Sequence, residues 1–259
     1  NYFLYYSYKE RCDVKAIVID MNSGYKCLIR ELFPNAKIIV DRFHIVQLVN
    51  RAFNKYRISY MNSIKDKDKD LYRQLKYYWK NLLMKYDELD NSTYKKFKHF
   101  KYITTEDNIV NYLIKQDSAL YKCYWLVQEL REALEKDDFN KFNTLVNDKS
   151  TLPRYMFTAI KTLRKYKRQI KNTMYYNGLS NGPLEGINNK IKVIKRISYG
   201  YRSFCNFRGK ILLVFSLFSS NSDKKPRYSK KERQAILDKR KELKVKRKNK
   251  KKAILFNIA

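Results

Sequence analysis

The sequence is poor in acids, in paired cysteines and in long apolar runs, and each shortage excludes something. Its longest apolar stretch, residues 211–218 with one serine, is far too short to span a bilayer. The four cysteines, Cys12, Cys27, Cys123 and Cys205, are scattered and make no Cys-x-x-Cys pair. A disulfide framework and a structural zinc cluster are therefore not expected; reduced thiols in a cytosolic protein are. Only 25 Asp and Glu stand against 57 Lys and Arg, a formal net charge of +32. Such a field selects a polyanionic partner, nucleic acid being the commonest, but charge alone names no reaction. With 44% hydrophobic and 15% aromatic residues, wholesale disorder is not expected either. A chain of 259 residues suffices for one or two domains with a sizeable core.

Lys, Tyr, Asn and Ile are all abundant, as AT-rich coding DNA would produce, so the position of the lysines says more than their number. Residues 224–252 hold 16 Lys and Arg against 3 acids, which is 13 of the 32 net positive charges. This stretch reads as a basic tail, either a charged helix or a solvated arm, that contacts DNA backbone with strong salt dependence.

The first ordered signal is Val14-Lys15-Ala16-Ile17-Val18-Ile19-Asp20, a β-branched run that reads as a buried strand ending in a carboxylate. Asn22-Ser23-Gly24 offers turn and N-cap chemistry for a helix ending near Leu32, before Pro34-Asn35. A second strand follows in Ala36-Lys37-Ile38-Ile39-Val40, then a long helix over about 43–61. Strand, helix, strand, helix with short connections predicts a parallel βαβ unit. Two parallel strands need further strands to satisfy their edges, and no other convincing strand is legible downstream. The chain also starts at Asn1, with residues 1–11 resembling the end of an aromatic-rich helix. The expectation is that it begins inside a domain whose earlier strands are missing.

From about 63 to 176 the pattern is helical. Leu71, Leu75, Tyr78, Trp79 and Leu82 recur at three- and four-residue steps, as do Leu120, Tyr124, Val127, Leu130 and Leu134. Trp79 and Trp125 suit either base stacking or helix core, with core the stronger reading. Asn177-Gly178-Leu179-Ser180-Asn181-Gly182-Pro183 then breaks the chain before an amphipathic helix. That helix carries Ile187, Ile191 and Ile194 on one side and Asn188, Lys192 and Lys195 on another. A further apolar helix is expected over about 204–218.

Three places in the sequence could carry chemistry. Asp20 ends a buried parallel strand, where open α/β sheets place ligands, or else it caps the next helix. Asp41 ends the following strand, and His44 lies one helical turn on. The carboxylate there orients the imidazole or shares a metal with it; alternatively it is an N-cap beside a surface histidine. Glu185 sits third in a helix that Pro183 would open, where an acid favours the helix dipole. Its flanking glycines and the basic ridge of Lys190, Lys192, Lys195 and Arg196 also suit close approach to phosphate.

Together, the 14–20 strand, Leu32-Phe33-Pro34-Asn35-Ala36, Asp41-Arg42-Phe43-His44 and Ser180-Asn181-Gly182-Pro183-Leu184-Glu185-Gly186-Ile187-Asn188 resemble bacterial insertion-sequence transposases. These are DDE enzymes of the ISL-type group, and the resemblance runs over residues 2–218. It implies an α/β, mostly helical fold: an incomplete RNase H-like core, made of the parallel βαβ unit plus carboxyl-terminal helices, interrupted by a large all-α insertion. The implied segments are 1–62 and 177–221 for the core, 63–176 for the insertion and 222–259 for the basic tail. By position Asp20 matches the second acid of the triad and Glu185 the third, both metal ligands, while Asp41 and His44 match a supporting Asp-x-x-His element. The first acid, and zinc-binding and helix-turn-helix segments, would lie upstream of this chain. The implied chemistry is DNA strand cleavage and transfer using two Mg²⁺ ions, with Mn²⁺ able to substitute. The implied partners are double-stranded DNA, at element ends and target, and a second copy in a homodimer, in a bacterial cytoplasm at the nucleoid. Lys190, Lys192, Lys195, Arg196 and Arg42 are the expected DNA contacts. With one acid missing, the chain alone is expected to bind DNA and cleave it poorly. The alternative is a non-catalytic nucleic-acid-binding protein whose acids only cap helices.

Overall fold

The computed structural model describes residues 2–21 and 23–216. The basic tail expected over 222–259, Asn22 of the first turn, and the end of the last apolar helix lie outside the described residues. Tyr8–Leu184 forms one compact unit, and a second takes Asn1–Ser7 with the chain from Glu185 onward.

In the first unit a short helix α1 (Tyr8–Cys12) precedes strand β1 (Ala16–Ile19), helix α2 (Ser23–Leu32) and strand β2 (Lys37–Val40). The strands pair in parallel, Ala16 opposite Lys37 through Ile19 opposite Val40, so the expected βαβ unit is present. Ile38, Ile39 and Val40 are all buried, as the β-branched run requires of a strand covered on both faces. Residues 2–12 form no continuous helix, however: a 3₁₀ turn at Tyr2–Tyr5 is separate from α1.

The long α3 (Arg42–Ser63) follows at once, then α4 (Lys69–Tyr77), a minimal antiparallel pair β3 (Lys95–Lys96) and β4 (Ile103–Thr104), α5 (Glu106–Lys115), α6 (Ser118–Glu135), α7 (Phe139–Asn147) and α8 (Arg154–Tyr175). The β3–β4 pair corrects the expectation of no downstream strand; two residues per strand leave no periodicity to read. The scarce acids have a structural use here. Asp41, Asp68, Asp117 and Asp138 are the N-caps of α3, α4, α6 and α7, each accepting backbone N–H groups of the first turn. One hydrophobic core runs from Val40 of β2 through Ile45, Val49 and Phe53 of α3 to Leu163 and Ile170 of α8. Tyr124 and Phe142 are wholly buried within it. The α/β fold is therefore mostly helical around a small parallel sheet.

The outer edge of β2 is satisfied in an unexpected way. Ile38 and Val40 point their backbone groups away from β1, towards α8. The Thr173 hydroxyl donates to the Val40 carbonyl (2.8 Å) and accepts from the Val40 N–H (3.1 Å). Asn172 Nδ2 donates to the Ile38 carbonyl at 2.9 Å. Polar side chains of a helix replace a neighbouring strand, which corrects the expectation that this edge needs one.

In the second unit α9 (Gly182–Ile197), whose first residues belong to the first unit, leads to α10 (Phe204–Val214). Ser198 and Tyr201 share a hydroxyl hydrogen bond of 2.7 Å in the turn between them. Gly200, at φ +104°, occupies the left-handed conformation that this reversal needs. On the expected apolar side of α9 Ile194 is buried, Ile191 is half-buried and Ile187 is exposed.

Candidate active site

Parallel pairing in register brings the carboxyl ends of β1 and β2 side by side, so Asp20 and Asp41 leave the sheet as neighbours. Their side chains then diverge. Asp41 is buried (5% exposed) and both its oxygens are committed. Oδ1 accepts the Phe43 N–H at 2.8 Å, capping α3, and Oδ2 accepts the Asn181 N–H at 2.6 Å. Asp20 is half-exposed: its side chain is 53% accessible. Its Oδ1 lies 2.8 Å from His44 Nε2 and accepts from Asn181 Nδ2 at 3.2 Å. Among the described residues Oδ2 takes no hydrogen bond.

The imidazole therefore faces Asp20, across the sheet edge, rather than Asp41 one turn back on its own chain. This corrects the pairing read from the Asp-x-x-His spacing. Helix geometry explains it: the Asp41 carboxylate is turned inward to cap the helix, and the His44 backbone N–H already bonds the Asp41 carbonyl (3.1 Å). Asn181 is the residue that sequence reasoning missed. It holds both aspartates from the loop before α9, and the only signal was its place in Ser180-Asn181-Gly182-Pro183. In that loop Ser180 Oγ accepts the Gly182 N–H at 3.2 Å, and α9 starts at Gly182, one residue before the expected Pro183.

Arg42, also expected as a DNA contact, is half-buried and makes its hydrogen bonds within the protein. Its guanidinium binds the Leu134 carbonyl and the Asp137 carboxylate, with longer contacts of 3.4 Å to the Thr173 carbonyl and Asn177 Oδ1. It ties α3 to the ends of α6 and α8.

Glu185 belongs to the second unit, exposed in the first turn of α9. Lys190, Lys192, Lys195 and Arg196 are exposed on the same helix. Lys192, Lys195 and Arg196 line one open hollow with Tyr199 and Gly200, and the Lys190 ammonium lies 4.7 Å from the Phe215 ring centroid. Among the described residues no three His, Cys, Asp or Glu side chains gather into one metal-holding group. Trp125 packs against the Tyr86, Tyr121 and Tyr124 rings as part of the helical core, whereas Trp79 is 40% exposed.

The sequence model of a family described as transposase, the ISL3-type DDE group, matches residues 1–211. The transposase for insertion sequence element IS1001 of Bordetella parapertussis is 26% identical over 209 residues, 78% of this chain and 48% of that protein. A Lactococcus lactis subsp. lactis protein named ATP-dependent protease is 41% identical over 109 residues, 42% of this chain and 35% of that protein. The chain thus spans half or less of the length of these relatives. No solved structure matches it.

Proposed function

Since the chain belongs to the ISL3-type DDE transposase family, we propose that Asp20 and Glu185 are acids of a DNA-cleaving and strand-transferring site built on an RNase H-like core, with residues 63–176, which include α4 to α8, as its insertion. The two relatives carry different names. The transposase match extends over 78% of this chain and the protease match over 42%, which favours the transposase name. One observation supports the assignment above all: Asp20 follows a strand of the parallel sheet with one oxygen held and the other without a hydrogen bond among the described residues, while Asp41 beside it has one oxygen capping α3 and the other accepting from Asn181. Asp20 therefore favours the ligand role, and Asp41 a supporting one.

The donor chemistry fits a divalent ion. Mg²⁺ takes hard oxygen ligands, usually one or two carboxylates together with waters and substrate phosphate oxygens. Asp20 supplies such an oxygen, and the exposed Glu185 carboxylate is of the same kind. When bound, Mg²⁺ or Mn²⁺ neutralises charge on the transferring phosphoryl group and polarises the attacking hydroxyl or water. The chain's own residues prepare the site. The Asn181 Nδ2–H hydrogen bond and the His44 imidazole 2.8 Å away fix the rotation of the Asp20 carboxylate, as polar partners of ligating carboxylates do in metal sites generally. Lys190, Lys192, Lys195 and Arg196 offer the phosphate backbone a positive face sequence-independently. Double-stranded DNA is the substrate on this reading, with a homodimer as the assembly.

A titration of Mn²⁺ into the DNA-bound chain, followed by electron paramagnetic resonance, tests the reading. Asp20→Asn and Glu185→Gln are expected to weaken Mn²⁺ binding at least tenfold while leaving DNA affinity within about threefold, a carboxylate being worth on the order of 1.4 kcal/mol or more to the ion. Wild-type Mn²⁺ affinity in both variants would instead support a non-catalytic DNA-binding protein, a reading that the capping role of Asp41 also suits.

A further inference from the structure

The other end of the same sheet carries a second concentration of positive charge. Helix α8 holds seven Lys and Arg and no acid in its 22 residues. Its buried face, Met156, Ile160, Leu163, Tyr166 and Ile170 among others, turns Lys161, Lys165 and Arg168 outward at i, i+4 and i+7, one stripe about 10 Å long. Helix α2 places Lys26 and Arg30 one turn apart beside this stripe. The Lys26 ammonium sits 3.8 Å from the Tyr166 ring centroid and donates to Gln169 Oε1 at 3.3 Å. Burial first, then the neighbouring charges of Lys165 and Arg30, holds Lys26 below the usual lysine value. The cations are thus near enough to repel one another.

Between α2 and α8 lies an open cleft of about 520 Å³, with Arg30, Lys37, Arg168, Asn35, Gln169 and Asn172 in its walls. No acidic side chain among the described residues lines it, and Glu31, the one acid of α2, is not part of its wall. The cleft sits at the amino end of β2, about 13 Å along the strand from Asp41. We propose that this cleft binds the phosphodiester backbone of duplex DNA, as a contact track separate from the Asp20 end of the sheet; the choice of DNA rests on the function proposed above. Two guanidinium groups facing one cleft suit phosphate oxygens, which they bind in pairs. Neutral amides between them supply further donors. Among the described residues no aromatic ring lines the cleft, so bases have nothing to stack on there, which favours backbone over single-stranded base contact. Bound phosphates relieve the repulsion between Lys26, Arg30 and Lys165 and release condensed counterions.

The test measures binding of the full chain to two unrelated 30-base-pair duplexes across a KCl series, by fluorescence anisotropy. The triple variant Arg30→Gln/Lys165→Gln/Arg168→Gln is expected to bind both duplexes more weakly to the same degree. Its slope of log affinity against log salt should be shallower by roughly 2 to 3, at about 0.9 per lost phosphate contact. In the wild-type chain DNA should protect Lys37 and Lys165 from acetylation, a readout that needs no variant to fold. A triple variant with wild-type affinity and slope overturns the proposal. So do Lys37 and Lys165 that acetylate equally with and without DNA, or that phosphatidylserine vesicles protect and DNA does not. A parallel variant, Lys192→Gln/Lys195→Gln/Arg196→Gln, separates the two readings: if it alone weakens binding, the cleft proposal fails and the α9 contact stands; if neither does, both fail.

Discussion

Asp20 and Asp41 begin from equivalent positions, one residue past neighbouring strands, and end in opposite environments. The difference predicts different consequences of mutation. Asp41→Ala removes the α3 cap and leaves the Asn181 N–H without its acceptor. Losing a cap costs about 1 kcal/mol and an unsatisfied buried donor about 1–3 kcal/mol, so a loss of about 2–4 kcal/mol is expected in urea unfolding. Asp41→Asn keeps one acceptor oxygen and should lose about half as much; an Asp41→Ala chain with a wild-type midpoint would refute the cap. The cysteines differ in the same manner. Burial pushes the Cys123 thiol up to about 12, whereas Cys27 and Cys205 are exposed. Native protein should therefore label at Cys27 and Cys205 with iodoacetamide within minutes, and at Cys123 only after denaturation. Mass-spectrometric mapping checks this, and native Cys123 labelling at the exposed-thiol rate would contradict its burial. Of the site residues, the two aspartates were legible because each ends a β-branched run. The His44–Asp20 pair and the Arg42–Asp137 tie were not, because each joins residues brought together only by the fold.

Elements hold together through similarly distant contacts. The edge of β2 depends on α8, 133 residues further along the chain. Thr173→Val keeps the shape and removes the hydroxyl, leaving the Val40 N–H and carbonyl unpaired in a buried place. The expected cost is about 3 kcal/mol in chemical denaturation, with faster hydrogen exchange at the Val40 amide. Thr173→Ser should cost only about 1 kcal/mol, for a methyl group; equal losses in the two variants would mean that packing, and not the edge, matters. Helices α6 and α7 are joined at Glu132, whose carboxylate meets Lys136 (2.6 Å) and Lys141 (2.5 Å). These two lysines hold it at about 2, below its ordinary 4.5. A lowered carboxylate stabilises the fold while ionised, so its contribution is complete above about pH 4.5 and is lost as pH falls from there towards 2. Glu132→Gln should flatten the pH dependence of the melting temperature in that window. Because the group is exposed, the difference should be small and should vanish in about 1 M salt; an identical acid profile at low salt would rule the tie out. The βαβ unit and α3 were legible because hydrophobic period changes from runs to three- and four-residue steps at turn residues. The β3–β4 pair was too short to show a period, and the helix-sealed edge of β2 has no local pattern at all.

At the scale of the whole molecule, 57 basic residues against 25 acids act on folding and binding with opposite signs. Several acids are spent as caps: Asp41, Asp68, Asp117 and Asp138 each face backbone N–H groups, so they do little to neutralise the lysines on the surface. The folded chain thus concentrates like charge, on α8 and along α9 among other places, which its unfolded form would spread over a larger volume. Salt screens repulsion within the fold. On the proposed function it also screens attraction to DNA, where each phosphate contact would give up counterions that high salt opposes. Raising KCl from 0.05 to 0.5 M should therefore raise the melting temperature of the free chain by a few degrees, a shift of about 1 kcal/mol being worth roughly 2–4 °C at this size. Over the same range DNA affinity should fall by orders of magnitude. Differential scanning calorimetry and anisotropy on one preparation test both halves. A melting temperature that drops with salt would show that ion pairs, and not self-repulsion, govern the electrostatics of the fold.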